Sequence, residues 1–497
     1  MKKCFYIFIL TCTINYCSAQ TPPYLFQSLF GSATRAEVLS SITKFNMQYL
    51  GVTTNGNPFS NWEIDVHLIN ENGTIIKTTN ISLPGKTLVN TSKKASINWQ
   101  DTSIFITGRM AGTQWHGMLW KINKNLDTLW HKEYVNPIPD SSLQFSSSLI
   151  VDDGLILYGT SCQYDIYGDC FIMKVDFNGN ELWRKTVQLP GQSGGVIKMI
   201  HTLDKSFISY QNITYTNTDT DYRLVKYDSL FNQIWAHTYF TPFKDYDGDI
   251  IETSDSNYVI CNGYTDVMLG GVMGTSKSRN NLLKINKNNG TVIWNKKYGT
   301  PSNFTELRRV QEMGNGNLLA IGLHVTAYVG PKPQGAYVTH LFTTNSYGDS
   351  LSYQSVFTDS SSTINRLWDF CKTNTGYFFV GDATDVNNGN EQNWLIKSDM
   401  NICFLDSCVS PSGIQFFTNE NSIKVYPNPA NNFITIDAPY NQLATIKIID
   451  MLGNTVFQQI IKNETNNINA FQLLNGSYIL QFLQNGNVIN KFIIINN

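Results

Sequence analysis

The sequence predicts an all-β chain: a seven-bladed β-propeller followed by a small C-terminal β-sandwich. Three observations carry that expectation. The composition suits strands and turns, most of the chain repeats with a period of 52 to 59 residues, and the period stops in a tail that remains rich in strands. Of 497 residues, 42% are hydrophobic and 13% aromatic, yet only 15% are charged. Tyrosine, threonine and β-branched residues suit a half-buried pleated surface, and the abundant asparagine and glycine suit turns. No long amphipathic helical pattern occurs.

The period is read from two markers. A lysine after an apolar pair falls at Lys121, Lys174, Lys226 and Lys284, and the same frame extends to Leu68 before them and to Thr343 and Lys397 after, at spacings of 53, 53, 52, 58, 59 and 54. A glycine after an apolar run recurs at Gly51, Gly108, Gly159, Gly263, Gly322 and Gly381, with Tyr210 in the remaining place. Each period holds four apolar segments of strand length, such as SSSLIV, GLILYGT, CFIMKVD and ELWRKTV, separated by turn residues. Four strands at this period describe a propeller blade, which leaves only short sheet edges. YLFQSLFG at the start looks like a fourth strand lacking its first three, placed to complete the last blade.

The ends indicate export. MKKCFYIFILTCTINYCSAQ has Lys2 and Lys3, an apolar run and then small residues, so 1–19 reads as a signal peptide. Its apolar run is too short to span a bilayer. A lipid on Cys17 fits less well, because Ile14-Asn15-Tyr16 lacks the leucine and small residues of a lipoprotein signal. Cleavage leaves 36 − 2 = 34 basic against 38 acidic residues, a formal charge of −4, and no basic stripe for nucleic acid emerges. In an oxidising compartment Cys162 with Cys170, and Cys403 with Cys408, are candidate disulfides; buried thiols are the equal alternative, and the spacing is not that of a zinc site.

Trp130, Trp183, Trp235 and Trp294 follow the anchor lysines by nine or ten residues and are expected to fill space between sheets. KINKNNGTVIWNK is similar to the tryptophan-docking repeat of quinoprotein-like propellers, a likeness that implies a structural tryptophan and no cofactor. The anchor lysines are expected to lay their stems on apolar surface and hold their heads in solvent. Between the glycine and polar anchors lie 12 residues in one repeat, Arg109 to Trp120, but 20 in two others, so the functional face is expected on that side.

On it, Trp115 and His116 in GTQWHG suit stacking on a sugar, against the plainer reading of a packed loop tip. Asp245, Asp247 and Asp249 alternate around Gly248 like part of a calcium loop, although Ser256 stands where an EF-hand has its bidentate glutamate. Calcium is therefore the one cofactor considered, a solvated acidic turn being the plainer reading; none is required. No GxSxG, HExxH, phosphate-binding glycine loop or CxxC occurs, and the seven histidines are scattered. The expected function is a binding scaffold for glycan or protein ligands. The alternative is a hydrolase or lyase acting on polysaccharide, because carboxylates distant in sequence can converge on a propeller.

After Cys408 a polar linker, 409–421, leads into 422–497. Pro427 and Pro429 remove two backbone donors and force extended geometry on Tyr426 and Asn428, which an edge strand tolerates. ATIKIID, TVFQQII, GSYILQFL and VINKFIII follow as strands. The ordered motifs VYPNP (425–429), IKIIDMLGN (446–454) and LLNGSYILQF (473–482), with closing KFIII, resemble the type A C-terminal sorting domain of Bacteroidetes type IX secretion. Tyr426, Pro427, Asn428, Pro429, Gly453, Gly476 and Tyr478 carry the likeness. It implies passage through the periplasm, recognition by the outer-membrane translocon, and release or attachment at the cell surface. A plain adhesive sandwich is the alternative.

Overall fold

The computed structural model describes residues 26–403 and 424–496 apart from short connecting stretches, the longest being 268–276 and 326–335. The expected signal peptide, the linker, Cys408 and Gly453 lie outside the described residues. The described residues contain strands and turns and no helix, so none of them forms a helix able to cross a membrane. The chain divides into two compact units, 1–408 and 409–497.

In the first unit, strands follow the period. Repeat 1 pairs Ala36–Phe45, Gln48–Gly56, Glu63–Ile69 and Ile75–Ile81 in chain order, all antiparallel. Repeats 3, 4 and 5, at 141–187, 193–239 and 246–298, do the same. Repeat 2 differs in that its first strand is in two pieces, Leu88–Asn90 and Ser96–Asn98. Repeat 6 (305–356) and repeat 7 are joined as one eight-stranded sheet by a two-residue parallel pairing of Tyr337 and Val338 with Ile364 and Asn365. Repeat 7 takes three strands from 364–399 and its fourth from Phe26–Phe30, which pairs with Glu391–Asp399.

Each sheet is apolar on both faces and buries them against its neighbours. Phe45, Leu50 and Val66 meet Ile104, Ile106 and Trp120 between repeats 1 and 2. Equivalent clusters join the later repeats in order, and Leu39, Ile42 and Tyr49 of repeat 1 pack with Phe378, Val380 and Leu395 of repeat 7. The packing circuit thus returns to its start. Burying each such side chain is worth about 1.5–3 kcal/mol.

One kind of turn follows the third strand of every repeat, from Asn70–Thr74 to Asp399–Cys403, each closed by a pair of backbone hydrogen bonds; in repeats 1 to 6 it leads into the fourth strand. Gly179, Gly290 and Gly348 lie in such turns at positive φ, and the tryptophan of the preceding repeat packs on each: Trp130, Trp235 and Trp294. Tyr134, Tyr239 and Tyr298 donate their hydroxyls to the same three carbonyls at 2.8, 2.7 and 2.6 Å. Phe26 takes the corresponding place on Gly73 of repeat 1, so the N-terminal strand docks as the outer strands do.

The anchor lysines correct one expectation. Lys226 and Lys284 are buried, and each pairs at 2.7 Å with an aspartate in its own repeat's first hairpin, Asp204 and Asp255. Lys397 reaches Glu71 of repeat 1 at 2.8 Å. A lysine head buried among apolar strands needs a counter-charge, which the hairpin supplies.

The second unit is built from two sheets. One orders Lys424–Tyr426, Phe433–Asp437 and Thr465–Asn469; the other orders Thr455–Ile461, Ala444–Asp450, Gly476–Gln484 and Asn487–Ile495. Ile434, Ile436, Ile446, Ile448, Leu480 and Ile493 form their shared core. Lys424–Tyr426 is an edge strand, as its prolines require. The Asn428 side chain then acts as a strand partner, donating to the Phe492 carbonyl at 2.9 Å and accepting from the Ile494 N–H at 2.8 Å. Tyr426 bonds Asp437 at 2.8 Å, and Tyr478 is buried with its hydroxyl on the Leu474 carbonyl at 2.8 Å.

Candidate functional site

In the first unit, the connections between second and third strands and between successive repeats lie at one end, here the loop end; the hairpin turns lie at the other. The first strands of repeats 1, 3, 4, 5, 6 and 7 each carry a register shift, at Leu39/Ser41, Phe145/Ser147, Val196/Lys198, Tyr246/Asp249, Leu307/Arg309 and Leu367/Asp369. A bulge re-aims the extra side chain out of the alternating pattern. The marker glycines explain part of its geometry. A Cβ on Gly381 would stand 1.8 Å from the Arg366 carbonyl, so the second strand approaches the bulged one only where a side chain is missing.

In repeats 6 and 7 the extra residues are Arg308 and Trp368, both partly exposed. The Arg308 guanidinium lies 4.1 Å from the centre of the Trp368 ring, and that of Arg366 lies 5.6 Å from it and 5.9 Å from Tyr337. The indole N–H donates to the fully buried Asp382, which fixes the ring. Arg366 donates to Asp382 at 2.6 Å and to Glu391 at 2.9 Å. Arg308 donates through Nε to Glu306 at 2.6 Å, while its buried Nη1 has no partner. Burial pushes the Glu391 carboxyl above its ordinary range, and Asp382 adds to this while Arg366 opposes it. The cluster therefore offers an oriented aromatic ring, flanking guanidinium groups and a partly buried carboxyl paired with Arg366.

Two further aromatic–cation stacks lie at the loop end. Lys297 sits 3.2 Å from the centre of the Tyr264 ring, beside the Arg279–Asp266 pair. Arg109 lies 4.4 Å from that of Trp115. Trp115 and His116 open the strand Trp115–Ile122 instead of forming a loop tip, and His116 pairs with Glu133. Pairing between strands claims them because the connection after Ala111 is so short.

Below the bulges runs a ladder of buried charge. Lys198, Asp249, Arg309 and Asp369 come from repeats 4, 5, 6 and 7 in turn. Asp249 also accepts from the Val310 N–H at 3.3 Å, and Asp369 from the Ile42 N–H of repeat 1 at 3.0 Å. Burial opposes the Asp249 charge, but Lys198 and Arg309 outweigh it and hold the carboxyl below its ordinary range.

Asp245, by contrast, is buried with burial pushing its carboxyl well above the ordinary range. Asp245 and Asp249 thus occupy different environments, and the Asp247 side chain lies outside the described residues. Among the described residues no group of three or more metal-ligating side chains converges. No disulfide joins Cys162 to Cys170, which corrects that pairing: Thr160 is opposite Cys170 in the hairpin and Gly168 opposite Cys162, so the two side chains sit diagonally. Cys403 is disulfide-bonded.

Arg308, Arg366 and Trp368 went unseen in the sequence. A signal exists: LRRV and LWDF break strand alternation, placing two large polar or aromatic residues in succession where the bulge falls.

Among solved structures, the chain is similar to an ulvan lyase of a new polysaccharide lyase family, at 9% identity and a TM-score of 0.48 over 76% of this chain and 96% of that one. It is similar to PorZ, a surface component of the type IX secretion system of Porphyromonas gingivalis, at 11% identity and a TM-score of 0.30 over 92% and 75%. A curated endo-acting ulvan lyase from Formosa agariphila is 26% identical over 172 residues, 33% of this chain and 31% of that protein, so the match spans under a third of the relative's length. Residues 424–496 match the secretion system C-terminal sorting domain, which holds the YPNP motif zipped to the last strand. The tail is thus a C-terminal sorting domain of type IX secretion, and it directs the chain to the cell surface or the extracellular space.

Proposed function

We propose that the seven repeats form a seven-bladed β-propeller that binds polysaccharide at its loop end and is displayed or released outside the cell by its tail. The observation that carries this reading is the partly exposed Trp368 ring, fixed by Asp382 and flanked by the Arg308 guanidinium. Sugar rings stack on aromatic faces, and a planar guanidinium donates to hydroxyl or acid groups at their rim. Purified protein is screened on a polysaccharide array, and Trp368→Ala is compared on the glycans retained. Losing the ring's buried area is worth about 1.5–3 kcal/mol, so affinity falls about tenfold or more while the melting temperature is kept. Unchanged retention by Trp368→Ala sinks the reading.

A second reading, cleavage of the bound polysaccharide, is favoured by one observation, the partly buried Glu391 carboxyl beside this cluster, which burial and Asp382 push upward, and by the partial likeness to an ulvan lyase. Turnover of the retained glycan that Glu391→Gln abolishes supports it; retention without turnover leaves binding alone.

A further inference from the structure

Beneath the charge ladder, toward the turn end, the first strands of repeats 1, 4, 5, 6 and 7 enclose a cavity of about 410 Å³. Four of its lining side chains are cationic, Lys44, Lys198, Arg309 and Lys372, each from a different repeat, against one lining carboxylate, Asp249, and Asp369, which pairs with Arg309. Asp249 is already engaged by Lys198 and two backbone N–H groups. Lys44 bonds only the neutral Asn374 side chain, at 2.9 Å, and among the described residues no carboxylate pairs with Lys44 or Lys372. The Thr43 hydroxyl, which lines the same cavity, is buried with no hydrogen-bond partner.

We propose that this cavity binds a small oxyanion, a free sulfate or phosphate or the acid group of a sugar. Converging cations repel one another and gain most from a ligand that accepts several charge-assisted hydrogen bonds. The Thr43 hydroxyl supplies a neutral donor at the wall. The site is separate from the Trp368 cluster and does not depend on what binds there.

The test titrates the full-length protein with sodium sulfate, and in a second arm with sodium glucuronate, against sodium chloride at matched ionic strength. Melting temperature and calorimetric heat are read. A saturable rise beyond the chloride control is expected in at least one arm, and the stronger arm identifies the source of the oxyanion. Lys44 and Lys372 are exposed, so Lys44→Gln with Lys372→Gln is expected to fold and to bind about tenfold more weakly, as charge-assisted bonds are lost. Thr43→Val, a milder change, weakens binding in the same direction, and Trp368→Ala leaves it intact. No saturable rise in either arm overturns the site. So does equal binding by the double lysine variant, or a response that Trp368→Ala removes and the lysine variant retains.

Discussion

Lys226 and Lys284 illustrate how single residues hold the repeats. Burial alone would raise the Asp204 and Asp255 carboxyls, but the lysines and neighbouring hydrogen bonds outweigh it and hold both well below the ordinary range. Glu71, facing Lys397, falls to about 2 for the same reason. Each folded pKa is depressed, so the folded state binds fewer protons than the unfolded one through this window. The stabilisation is full above the unfolded values, 3.8 for aspartate and 4.5 for glutamate, and is lost as pH drops through the folded ones. Urea midpoints measured downward from pH 6 should therefore fall steeply below pH about 4, within the carboxylate window. Lys226→Met with Lys284→Met should flatten that slope; an unchanged slope would mean the pairs contribute nothing.

At the scale of the element, the N-terminal strand bears the most testable weight. Phe26–Phe30 gives repeat 7 its fourth strand, and Phe26 packs on Gly73 and within 6.3 Å of Phe378, ring centre to ring centre. Phe378 in turn meets Tyr49 of repeat 1 edge to face at 4.9 Å. Phe378→Ala leaves a cavity at this junction and is expected to cost about 3–5 kcal/mol. Phe26→Ala, partly exposed, should cost less. Guanidinium unfolding of both variants checks the order, and an equal or reversed cost would contradict the docking role. The strand's existence was legible in YLFQSLFG because it carries the fourth-strand pattern without a preceding hairpin. Thr465–Asn469 was not, since TNNIN offers one apolar residue and pairs only because Phe433–Asp437 presents a free edge.

For the whole molecule, export belongs to the tail. Deleting 422–497 should hold the passenger in the periplasm, scored by immunoblot of medium, surface and periplasmic fractions; normal arrival in the medium would exclude the tail as the address. The strand content, the period and the tail's family were determined by sequence alone, because strand alternation, turn residues and the YPNP pattern act locally and repeat. The site was decided by tertiary structure. Arg308, Arg366 and Trp368 approach one another only because bulges in two different repeats turn their extra residues out of the sheet. Likewise the cavity cations, from Lys44 to Lys372, are separated by hundreds of residues and share one space only because each first strand packs beside the next. Local propensity carries no record of such distances, so the chemistry at both places is a property of the packed repeats.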